Sequence, residues 1–460
     1  MKHLSPVEWA SYHGVFIGLW TDASYAYALY EPGDLVAVAL QDGAYPALPY
    51  PGAAWFQCLA KDLNGHIAVG FHATRTAIEQ FRAPDGRAAW PDFTGPDGEG
   101  IHQVAVGPVY GEVTTPVHFR FFALGERVFK LQTRLGYAHR GSLGLMRGQT
   151  PQTASRYAAR ICGDATIAYS IAFARAVENA LGAKVPARAH FLRGIMAEIE
   201  RLSNHCGDLG DIAALAGATL LADRCALLRE YLASAAQRAF GHRLMMGAIS
   251  PGGITIDITE DGAEGVCEVL DNIENELPDL RRAFLESASL QESMAGIGVI
   301  PPDLASAYYA GGYVGRAAAQ QRDARMNPGY PPYTGLTMVP EVAFHGDVIS
   351  RVAVRLAEMA ASTDQIHDLL ASLPKGPVAV ALEKGETEGD TAMGLGVAEG
   401  FRGPIWCWLK IGAGQIEDVF LVDTSVAYWP LLEYAAAASD LIDFPLIERS
   451  INPSPSGSDG

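Results

Sequence analysis

The residues best suited to metal chemistry in this chain lie in the hexapeptide from Arg160 to Ala165. A C-x-x-C pair at the start of a helix can bring two thiolates onto one metal ion, and Cys162 occupies the first position of such a pair. The second position is Ala165, whose methyl group cannot bind a metal. The hexapeptide therefore has the spacing of a metal motif but only one of its two thiols.

Four ionisable residues recur at helical spacing in the middle of the chain: Glu198, Arg201, His205 and Asp208. Their spacing of three, four and three residues places them on one stripe of a helix whose other side is apolar. Buried between helices, such a stripe can shift the pKa of a histidine and carry protons. On the surface it is an ordinary charged face. The spacing alone favours the solvated face and leaves the buried arrangement open.

Three further segments combine a basic residue with a turn. His139 and Arg140 precede a glycine, a pattern that suits binding of a carboxylate or of cluster sulfur, but also a strand end with a surface arginine. His118 lies in a predicted hairpin, where it can donate a hydrogen bond to a carbonyl ligand or serve as a structural histidine. The Glu399–Gly403 segment offers a Glu and an Arg near glycine turns, and its plain interpretation is a salt-bridged bend.

Composition excludes nucleic acid as a partner. The chain has 460 residues, of which 49% are hydrophobic and 19% charged, as in a globular protein with a large core. Its formal net charge is −18, because 34 basic residues are outnumbered by 52 acidic ones. Binding of phosphate backbones requires clustered Lys and Arg, which this balance does not favour.

The cysteines and the apolar runs predict a cytosolic chain. The six cysteines are scattered, and no two have C-x-x-C or C-x-C spacing, so buried or reduced thiols are expected. Neither an N-terminal apolar signal segment nor an uninterrupted apolar run of about 18 residues is present. We therefore expect that the chain neither spans a membrane nor enters the secretory route by itself.

Strand-like patterns precede helical ones, which predicts an α+β protein. Residues 1 to about 85 mix aromatic, β-branched and turn residues, and a linker rich in Pro, Gly and Asp follows up to about residue 100. Residues 101–134 alternate like a β-hairpin or meander. From about 151 to 247, apolar residues recur every three or four positions and predict long helices packed as a bundle.

Two domains are predicted from these changes in composition. The first is a small α+β module over residues 1–95, with a linker to about residue 100, and the second spans residues 101–460. A strand-rich stretch covers Val378 to Val422 near the end of the second domain. The tail from Asn452 to Gly460 contains only Pro, Ser, Gly, Asp and Asn, so we expect it to be flexible unless it docks.

Taken in order, these motifs resemble one protein family. The resemblance is to the large subunit of membrane-bound, formate hydrogenlyase-type nickel-iron hydrogenases and to the 49 kDa subunit of complex I, and it covers about residues 101–455. It depends on an ordered set of segments: Leu135–Gly141, Arg160–Asp164, Glu198–His205, Pro251–Gly253, Glu399–Gly403 and Asp443–Ser450. It implies the fold of those subunits, a β-hairpin or meander with a long-helix bundle. Residues 1–95 are similar to a shortened 30 kDa complex I subunit fused ahead of it.

The chain departs from this family at the metal ligands. Nickel-iron enzymes hold their metals with two C-x-x-C pairs, and the resemblance places the second pair at Ser454 and Gly457. With Ala165 in the first pair, three of the four thiolates are missing. A neutral serine is a poor substitute for a thiolate on a soft metal. The resemblance therefore implies that the nickel-iron site is absent, and we predict no metal ligands in this chain.

In complex I the corresponding cavity is the head of a quinone channel, which makes a quinone the candidate ligand. The resemblance assigns the hairpin histidine of that channel to His118, with Tyr110 where relatives often carry another histidine. The tyrosine position of the family falls on Gly163, and Tyr157 or Tyr169 could replace it from one helical turn away. The predicted ligand-binding residues are Tyr110, His118, His139, Arg140 and Tyr169.

The resemblance also gives roles to basic residues near the hexapeptide. Arg160 and His205 match family residues beside the terminal iron-sulfur cluster of a partner subunit. A donor group there stabilises the reduced cluster and couples electron arrival to protonation. This comparison favours a buried His205. The predicted catalytic residues are His118, Arg160, Glu198 and His205.

The resemblance implies a hetero-oligomeric, complex I-like or hydrogenase-related redox complex, with this chain peripheral on the cytoplasmic, inner face of the cell membrane. Electrons from NAD(P)H or another donor would arrive through partner subunits, including a small iron-sulfur subunit like the 20 kDa subunit of complex I. They would drive quinone reduction or ion translocation through antiporter-like and quinone-channel membrane subunits. Two alternatives stay open: a non-catalytic scaffold and a nickel-iron hydrogenase with altered ligands.

Overall fold

The computed structural model of the chain describes residues 1–72, 77, 93–109, 116–336, 338–382 and 391–459. Small sheets stand at both ends of the chain, and long helices lie between them. Within the described residues, every helix is too short or too polar to cross a lipid bilayer.

A four-stranded sheet and one long helix form the N-terminal unit. Its elements are β1 (Lys2–Leu4), α1 (Pro6–Ala10), β2 (Phe16–Thr21), β3 (Tyr25–Tyr30), β4 (Asp34–Ala39), β5 (Ala44–Pro46), α2 (Ala53–Asn64) and β6 (Ile67–Val69). The strand order is β1-β4-β3-β2, in which β1 and β4 run parallel and the other pairs are antiparallel. β5 and β6 form a separate parallel pair.

The predicted hairpin or meander is a three-stranded antiparallel sheet. It consists of β7 (Ile101–Val106), β8 (His118–Leu124) and β9 (Arg127–Arg134), in that order. In the register of β8 and β9, His118 lies opposite Arg134. Because successive side chains of a strand point to opposite faces, the neighbours of His118 face away from it.

The helical part of the chain follows this meander. Its elements are α3 (Ser142–Met146), α4 (Pro151–Ala158), α5 (Thr166–Leu181), α6 (Ala187–Leu215), α7 (Thr219–Phe240), β10 (Ile249–Ser250), β11 (Gly253–Ile254), α8 (Glu260–Glu286), α9 (Ala288–Met294), α10 (Pro302–Ala307), α11 (Gly312–Ala317) and α12 (Val348–Ala371). α6 packs against both α7 and α12. Asp347 caps α12, since its carboxylate accepts a hydrogen bond from the backbone N–H of Ser350.

A second antiparallel sheet and three helices complete the chain. They are β12 (Ala392–Gly400), β13 (Gly403–Gly412), β14 (Gln415–Asp423), α13 (Ser425–Ala436), α14 (Phe444–Ile451) and α15 (Pro455–Asp459). β12 lies directly on α5, and a Cβ at Gly396 would be 2.2 Å from the carbonyl oxygen of Ala172. A side chain at this glycine would therefore push the sheet away from the helix.

Two apolar cores hold the molecule together. The larger core joins the helices to the meander and to one face of the C-terminal sheet. The smaller core belongs to the N-terminal unit, but Trp406, Trp408 and Val422 of the C-terminal sheet complete it. The N-terminal unit is thus packed onto β13 and β14, opposite the face that contacts α5.

Candidate functional site

The C-terminal tail docks against the hexapeptide that contains Cys162. The hydroxyl oxygen of Ser454 lies 3.0 Å from the sulfur of Cys162, and both residues are buried. The backbone N–H of Ser454 donates to the hydroxyl of Ser425 at 3.0 Å. The two positions that the resemblance pairs as metal ligands therefore lie side by side, as a thiol and a hydroxyl.

The space for a fourth thiolate is filled by other groups. A Cβ added at Gly457 would lie 2.7 Å from a carboxylate oxygen of Asp423 and 2.9 Å from the hydroxyl of Tyr169. That hydroxyl donates to Asp423 at 2.5 Å, so the two side chains form a closed pair. Burial, together with Asp423, raises the pKa of Tyr169 well above its ordinary value and keeps the hydroxyl protonated.

The remaining groups do not fit a nickel-iron centre. Burial raises the pKa of the Cys162 thiol far above its ordinary value, and the nearby carboxylate of Asp164 acts in the same direction. The thiol donates to Asp164 at 2.8 Å, and it is the single sulfur donor among the described residues of this junction, which is too few for a soft metal. The other two positions are Ser454, a neutral hydroxyl, and Ala165, a methyl group. Such groups form hydrogen bonds and apolar contacts, as in an ordinary protein core.

Arg402 fixes the hexapeptide to the C-terminal tail. Its guanidinium donates two hydrogen bonds to the carboxylate of Asp164, at 2.9 and 2.6 Å, and a third to the backbone carbonyl of Asn452 at 2.6 Å. Burial alone would raise the pKa of Asp164, but the adjoining Arg402 lowers it to about 2. The plain interpretation of the Glu399–Gly403 segment, a salt-bridged bend, is thus too simple, because Arg402 pairs with a distant element.

A cavity of about 850 Å³ opens beside this junction. It lies between the meander, the hexapeptide, the end of α6 and the segment from α14 to the tail. One part of its wall is apolar: Val106, Val117, Phe119, Leu215, Phe444 and Pro445. The polar part of the lining includes Cys162, Asp164, Arg402, Arg449, Asn452 and Ser454. Its volume and mixed lining are those of sites that bind small amphiphilic molecules.

The charged stripe of α6 is buried, so the solvated face that its spacing favours is wrong. Glu198, Arg201, His205 and Asp208 are each at most 2% exposed. α12 covers this side of α6 and supplies the opposing charges. The family resemblance favours a buried His205, and the packing of α12 on α6 gives the physical reason.

Eight side chains around α6 form what we call the inner cluster. Its members are Glu198, Arg201, His205, Arg316, Asp323, Arg325, Glu358 and Glu399. Every member is at most 6% exposed. Ion pairs this deep in a protein are stable only when nearly all donors and acceptors are matched.

Glu358 of α12 holds His205 in place. One carboxylate oxygen accepts from Nε of Arg316 at 2.7 Å, and the other lies 2.8 Å from Nε2 of His205. Burial would raise the pKa of Glu358, but Arg316 and His205 lower it well below its ordinary value. Burial lowers the pKa of His205, which the contact with Glu358 opposes.

Glu198 is another buried carboxylate of the inner cluster. Its carboxylate accepts from Arg201 and Arg325, each at 3.0 Å, and from the hydroxyls of Tyr333 and Ser362, each at 2.7 Å. Burial would raise the pKa of Glu198, but the two guanidiniums lower it to about 2. The position that the sequence predicts as catalytic is therefore a fully paired carboxylate.

Asp208 connects the stripe of α6 to the cavity. It accepts from the side-chain amide of Asn452 at 2.8 Å and pairs with Arg449 at 3.3 Å, and both of these residues line the cavity. Its second oxygen accepts from Arg355 of α12 at 3.2 Å. Asp208 thus contacts both the wall of the cavity and α12, and it lies on the same helix as His205.

The four predicted catalytic residues occupy different environments. Glu198 and His205 belong to the inner cluster. Arg160 is exposed and donates to the backbone carbonyl of Arg156 at 2.7 Å. His118 is buried, and its Nδ1 lies 2.9 Å from the carbonyl oxygen of Gly107. None of the four is among the described residues that line the cavity.

His118 faces away from the cavity because its two sequence neighbours, Val117 and Phe119, line it. Its ring packs on Phe93, with 5.0 Å between the ring centres. Burial lowers the pKa of His118, and the nearby guanidiniums of Arg120 and Arg134 add to this effect, against the opposing contribution of the hydrogen bond with the carbonyl of Gly107. The histidine is therefore neutral at physiological pH.

The predicted ligand-binding residues are also dispersed. Exposed Arg140 donates to the backbone carbonyl of Ile161 and so lies against the hexapeptide, while His139 is half-buried in the preceding turn. Tyr169 forms the closed pair with Asp423. Tyr110 lies outside the described residues.

Sequence reasoning missed four of the eight members of the inner cluster, and it did not pair Asp164 with Arg402. A usable signal was present on α12, where Arg351, Arg355 and Glu358 recur at spacings of four and three residues, as on α6. Two facing helices with such stripes predict a buried ionic layer. Arg316, Asp323 and Arg325 lie in short or irregular segments and give no periodic signal.

Comparisons with known proteins agree with this architecture. Residues 216–395 match the family of the 49 kDa subunit of respiratory-chain NADH dehydrogenase, and residues 140–215 match the nickel-dependent hydrogenases. Formate hydrogenlyase subunit 5 of Escherichia coli K12 is 29% identical over 433 residues, which cover 89% of this chain and 76% of the relative. NADH-quinone oxidoreductase subunit 4 of Thermus thermophilus is 30% identical over 273 residues, covering 59% of this chain and 67% of the relative.

A solved structure confirms the predicted fold class. A chain of the membrane-bound sulfane sulfur reductase, an archaeal respiratory membrane complex, superposes with a TM-score of 0.73 at 23% sequence identity, over 80% of this chain and all of the other. The motifs, the fold and the relatives lead to one conclusion. This chain belongs to the family that comprises the 49 kDa subunit of complex I and the large subunits of membrane-bound nickel-iron hydrogenases.

Proposed function

We propose that this chain is the large subunit in the peripheral part of a membrane-associated redox complex, and that its cavity binds the head of a quinone where relatives with four cysteines hold nickel and iron. The observation that carries the proposal is the cavity of about 850 Å³ beside a junction with a single thiol. A polar ring with carbonyl oxygens suits a site that is apolar on one side and polar on the other.

The polar wall supplies the groups that would orient such a ring. Arg402 and the side-chain amide of Asn452 can donate to a carbonyl oxygen, and the Phe119 and Phe444 rings provide apolar surface on the other side. The guanidinium of Arg402 is already paired with Asp164, so it presents a fixed donor with little net charge. Reduction of a quinone consumes two electrons and two protons, and this chain contributes binding and the surrounding charges.

The electrons would come from partner subunits. Arg160 and Arg140 are exposed beside the hexapeptide, which makes this surface suitable for a small iron-sulfur subunit whose terminal cluster approaches the cavity. Chemistry on NAD(P)H or another donor, and ion translocation by antiporter-like and quinone-channel subunits, would belong to the other members of the complex. The chain would then be peripheral on the inner face of the cell membrane.

The proposal is tested by filling the cavity. Ala214 lines it from the exposed side of α6, so Ala214→Trp narrows the cavity without overpacking a core. In the purified complex, we expect quinone-dependent reoxidation of the reduced iron-sulfur cluster to slow at least tenfold. Ala226→Trp, on the exposed side of α7, is the matched control and should retain the parent rate.

Three outcomes would contradict the proposal. A parent complex whose clusters are not reoxidised by quinone, although partners still assemble on it, would favour the non-catalytic scaffold. Stoichiometric nickel in an elemental analysis of the same complex would favour a nickel-iron hydrogenase with altered ligands. Equal rates in Ala214→Trp and Ala226→Trp would move the quinone site away from this cavity.

A further inference from the structure

We propose that the inner cluster binds one exchangeable proton. The proton is bound by the carboxyl group of Glu399, and the imidazole of His205 is the second group that can bind it. This proton-binding site goes beyond the proposed function and does not depend on which molecule enters the cavity. The binding step is simple: a carboxylate and a proton give a carboxylic acid, and no electron is transferred.

The charge count of the cluster motivates the proposal. It contains four carboxyl groups, on Glu198, Asp323, Glu358 and Glu399, and three guanidinium groups, on Arg201, Arg316 and Arg325. With His205 neutral, the fully ionised cluster carries one uncompensated negative charge. An uncompensated charge in a water-excluded interior is costly, and a group in that position binds a proton instead. One proton therefore restores electrical neutrality.

Hydrogen bonding indicates which carboxyl group takes the proton. Glu198 accepts from four side-chain donors, and Asp323 accepts from both Nε and Nη2 of Arg325. Glu358 is bonded on both oxygens, by Arg316 and His205. Glu399 has the weakest set, with the backbone N–H of Ala324 at 3.0 Å and Nη1 of Arg316 at 3.3 Å.

The neighbours of Glu399 explain its proton affinity. Burial, followed by the negative charge of Asp323, raises the pKa of Glu399 to about 7, against the lowering effect of Arg316, Arg201 and Arg325. Nη1 of Arg316 is shared between Glu399 and Asp323, each at 3.3 Å, so neither carboxyl group has this donor to itself. Tyr330 accepts from the backbone N–H of Glu399 and adds no charge.

His205 is the second group that can take the proton. Its Nε2 faces Glu358, and its buried Nδ1 has no hydrogen-bond partner among the described residues. Burial lowers the pKa of His205, and the cations Arg355 and Arg201 oppose protonation, whereas Glu358 favours it. His205 precedes Asp208 by one turn of α6, and Asp208 contacts the cavity wall. Negative charge in the cavity would therefore strengthen proton binding by the cluster.

The proposal is tested by infrared spectroscopy of the purified complex between about pH 5 and pH 10. A protonated carboxylic acid has a carbonyl stretch that a carboxylate lacks, and this band shifts in D2O. We expect the parent to lose one carboxylic-acid band as the pH rises through about 7. Glu399→Gln should remove that titrating band. Glu230→Gln, on the exposed pair with Arg243, should leave it unchanged.

A second buried acid provides an internal reference. Glu200 accepts backbone hydrogen bonds from Ile167 and Ala168, and burial raises its pKa to about 8. Glu200→Gln should remove a different component, which titrates at higher pH. The parent spectrum alone decides the proposal if Glu399→Gln fails to fold: absence of a D2O-sensitive acid band that titrates near pH 7 would overturn it. So would persistence of that band in folded Glu399→Gln.

Discussion

The inner cluster and the junction of Cys162 with Ser454 are both buried and polar, but they use opposite means to stay stable. The inner cluster has charged groups on two long helices, on β12 and on the short segments between them, and nearly every carboxylate oxygen accepts a hydrogen bond. The junction has neutral groups, since its thiol, its serine hydroxyl and the hydroxyl of Tyr169 all stay protonated. The junction lies where the family resemblance places the metal ligands of nickel-iron relatives.

The two regions differ in how their polar groups are satisfied. The guanidiniums of the inner cluster are matched by carboxylates within this chain, so the cluster is nearly neutral by itself. The junction is closed in another way, because a hydroxyl and a carboxylate fill the place of a fourth thiolate. We therefore expect mutations in the inner cluster to lower the free energy of unfolding strongly, and mutations at the junction to lower it only mildly.

The largest effect is expected for Arg316→Met, which removes the guanidinium that contacts Glu358, Asp323 and Glu399. Three carboxyl groups then lose a buried partner, and we expect the free energy of unfolding to fall by about 3–5 kcal/mol. Urea titration of the purified protein measures this loss. Arg243→Met breaks an exposed pair with Glu230 and should leave the stability unchanged. Equal losses would mean that burial does not distinguish the two pairs.

The second effect is a dependence of stability on pH. The pKa of Glu399 is raised to about 7 from an ordinary value near 4.5, so the folded state binds this proton more tightly than the unfolded state. Its contribution to stability is full below about pH 4 and is lost as the pH rises to about 7, with a slope of at most about 1.4 kcal/mol per pH unit. Glu399→Gln should flatten the stability curve in this window.

The acidic end of the same curve provides the control. Glu198 and Asp323, whose pKa values are lowered to about 2, contribute stability above about pH 4 that is lost as the pH falls towards 2. This acid limb should persist in Glu399→Gln. Parallel curves for variant and parent between about pH 4 and pH 7 would show that Glu399 does not bind the proton differently in the folded state.

The third effect concerns the closed position of the fourth thiolate. Gly457→Cys places a Cβ within contact distance of Asp423 and Tyr169, and overpacking of this kind costs about 1–3 kcal/mol. Gly144→Cys is the matched control, because a Cβ at Gly144 meets no atom within 4 Å. Thermal unfolding of the two variants compares them directly. A stabilised Gly457→Cys protein would show that the pocket is open to a side chain.

Restoring all the cysteines extends this test. The triple variant Ala165→Cys, Ser454→Cys and Gly457→Cys has the four thiols of the family, but we expect no nickel in its elemental analysis. The reason is that Tyr169 and Asp423 occupy the place of the fourth ligand. Stoichiometric nickel would show that cysteine content alone separates this chain from a metal-binding relative.

The two regions also differ in how far sequence could predict them. The spacing at Cys162 predicts one missing thiolate, and the family resemblance places the other two at Ser454 and Gly457. For the inner cluster, the sequence indicates the stripe of α6 and, separately, Glu399, since helical periodicity reveals a stripe but not the element that covers it. The burial of the stripe depends on α12, which supplies Glu358 from a distant part of the chain, and on Asp323 and Arg325 in an irregular segment.

The fold was easier to predict than the positions of its functional side chains. Strand alternation over residues 101–134 and helical periodicity over 151–247 predict the meander and the bundle, which the structure has. The orientation of His118 was not predictable in the same way. Val117 and Phe119 line the cavity and pack towards α14 and the tail. Because side chains alternate along a strand, this packing places His118 on the opposite face of β8.

The smallest effect is expected for Ser454→Ala. Its hydroxyl accepts from the backbone N–H of Gly457 at 3.2 Å and lies 3.0 Å from the sulfur of Cys162. Loss of one neutral hydrogen-bonded group costs about 1 kcal/mol, far less than loss of a buried ionic partner. Ser456→Ala, at a half-buried position two residues later, is the matched control. Because Cys162 and Ser454 are in direct contact, Cys162→Ala and Ser454→Ala should couple in a double-mutant cycle, but by only about 0.5–1.5 kcal/mol, as expected for one neutral hydrogen bond. A coupling as large as that of the ionic pairs would make the junction a charged site, with a thiolate at Cys162.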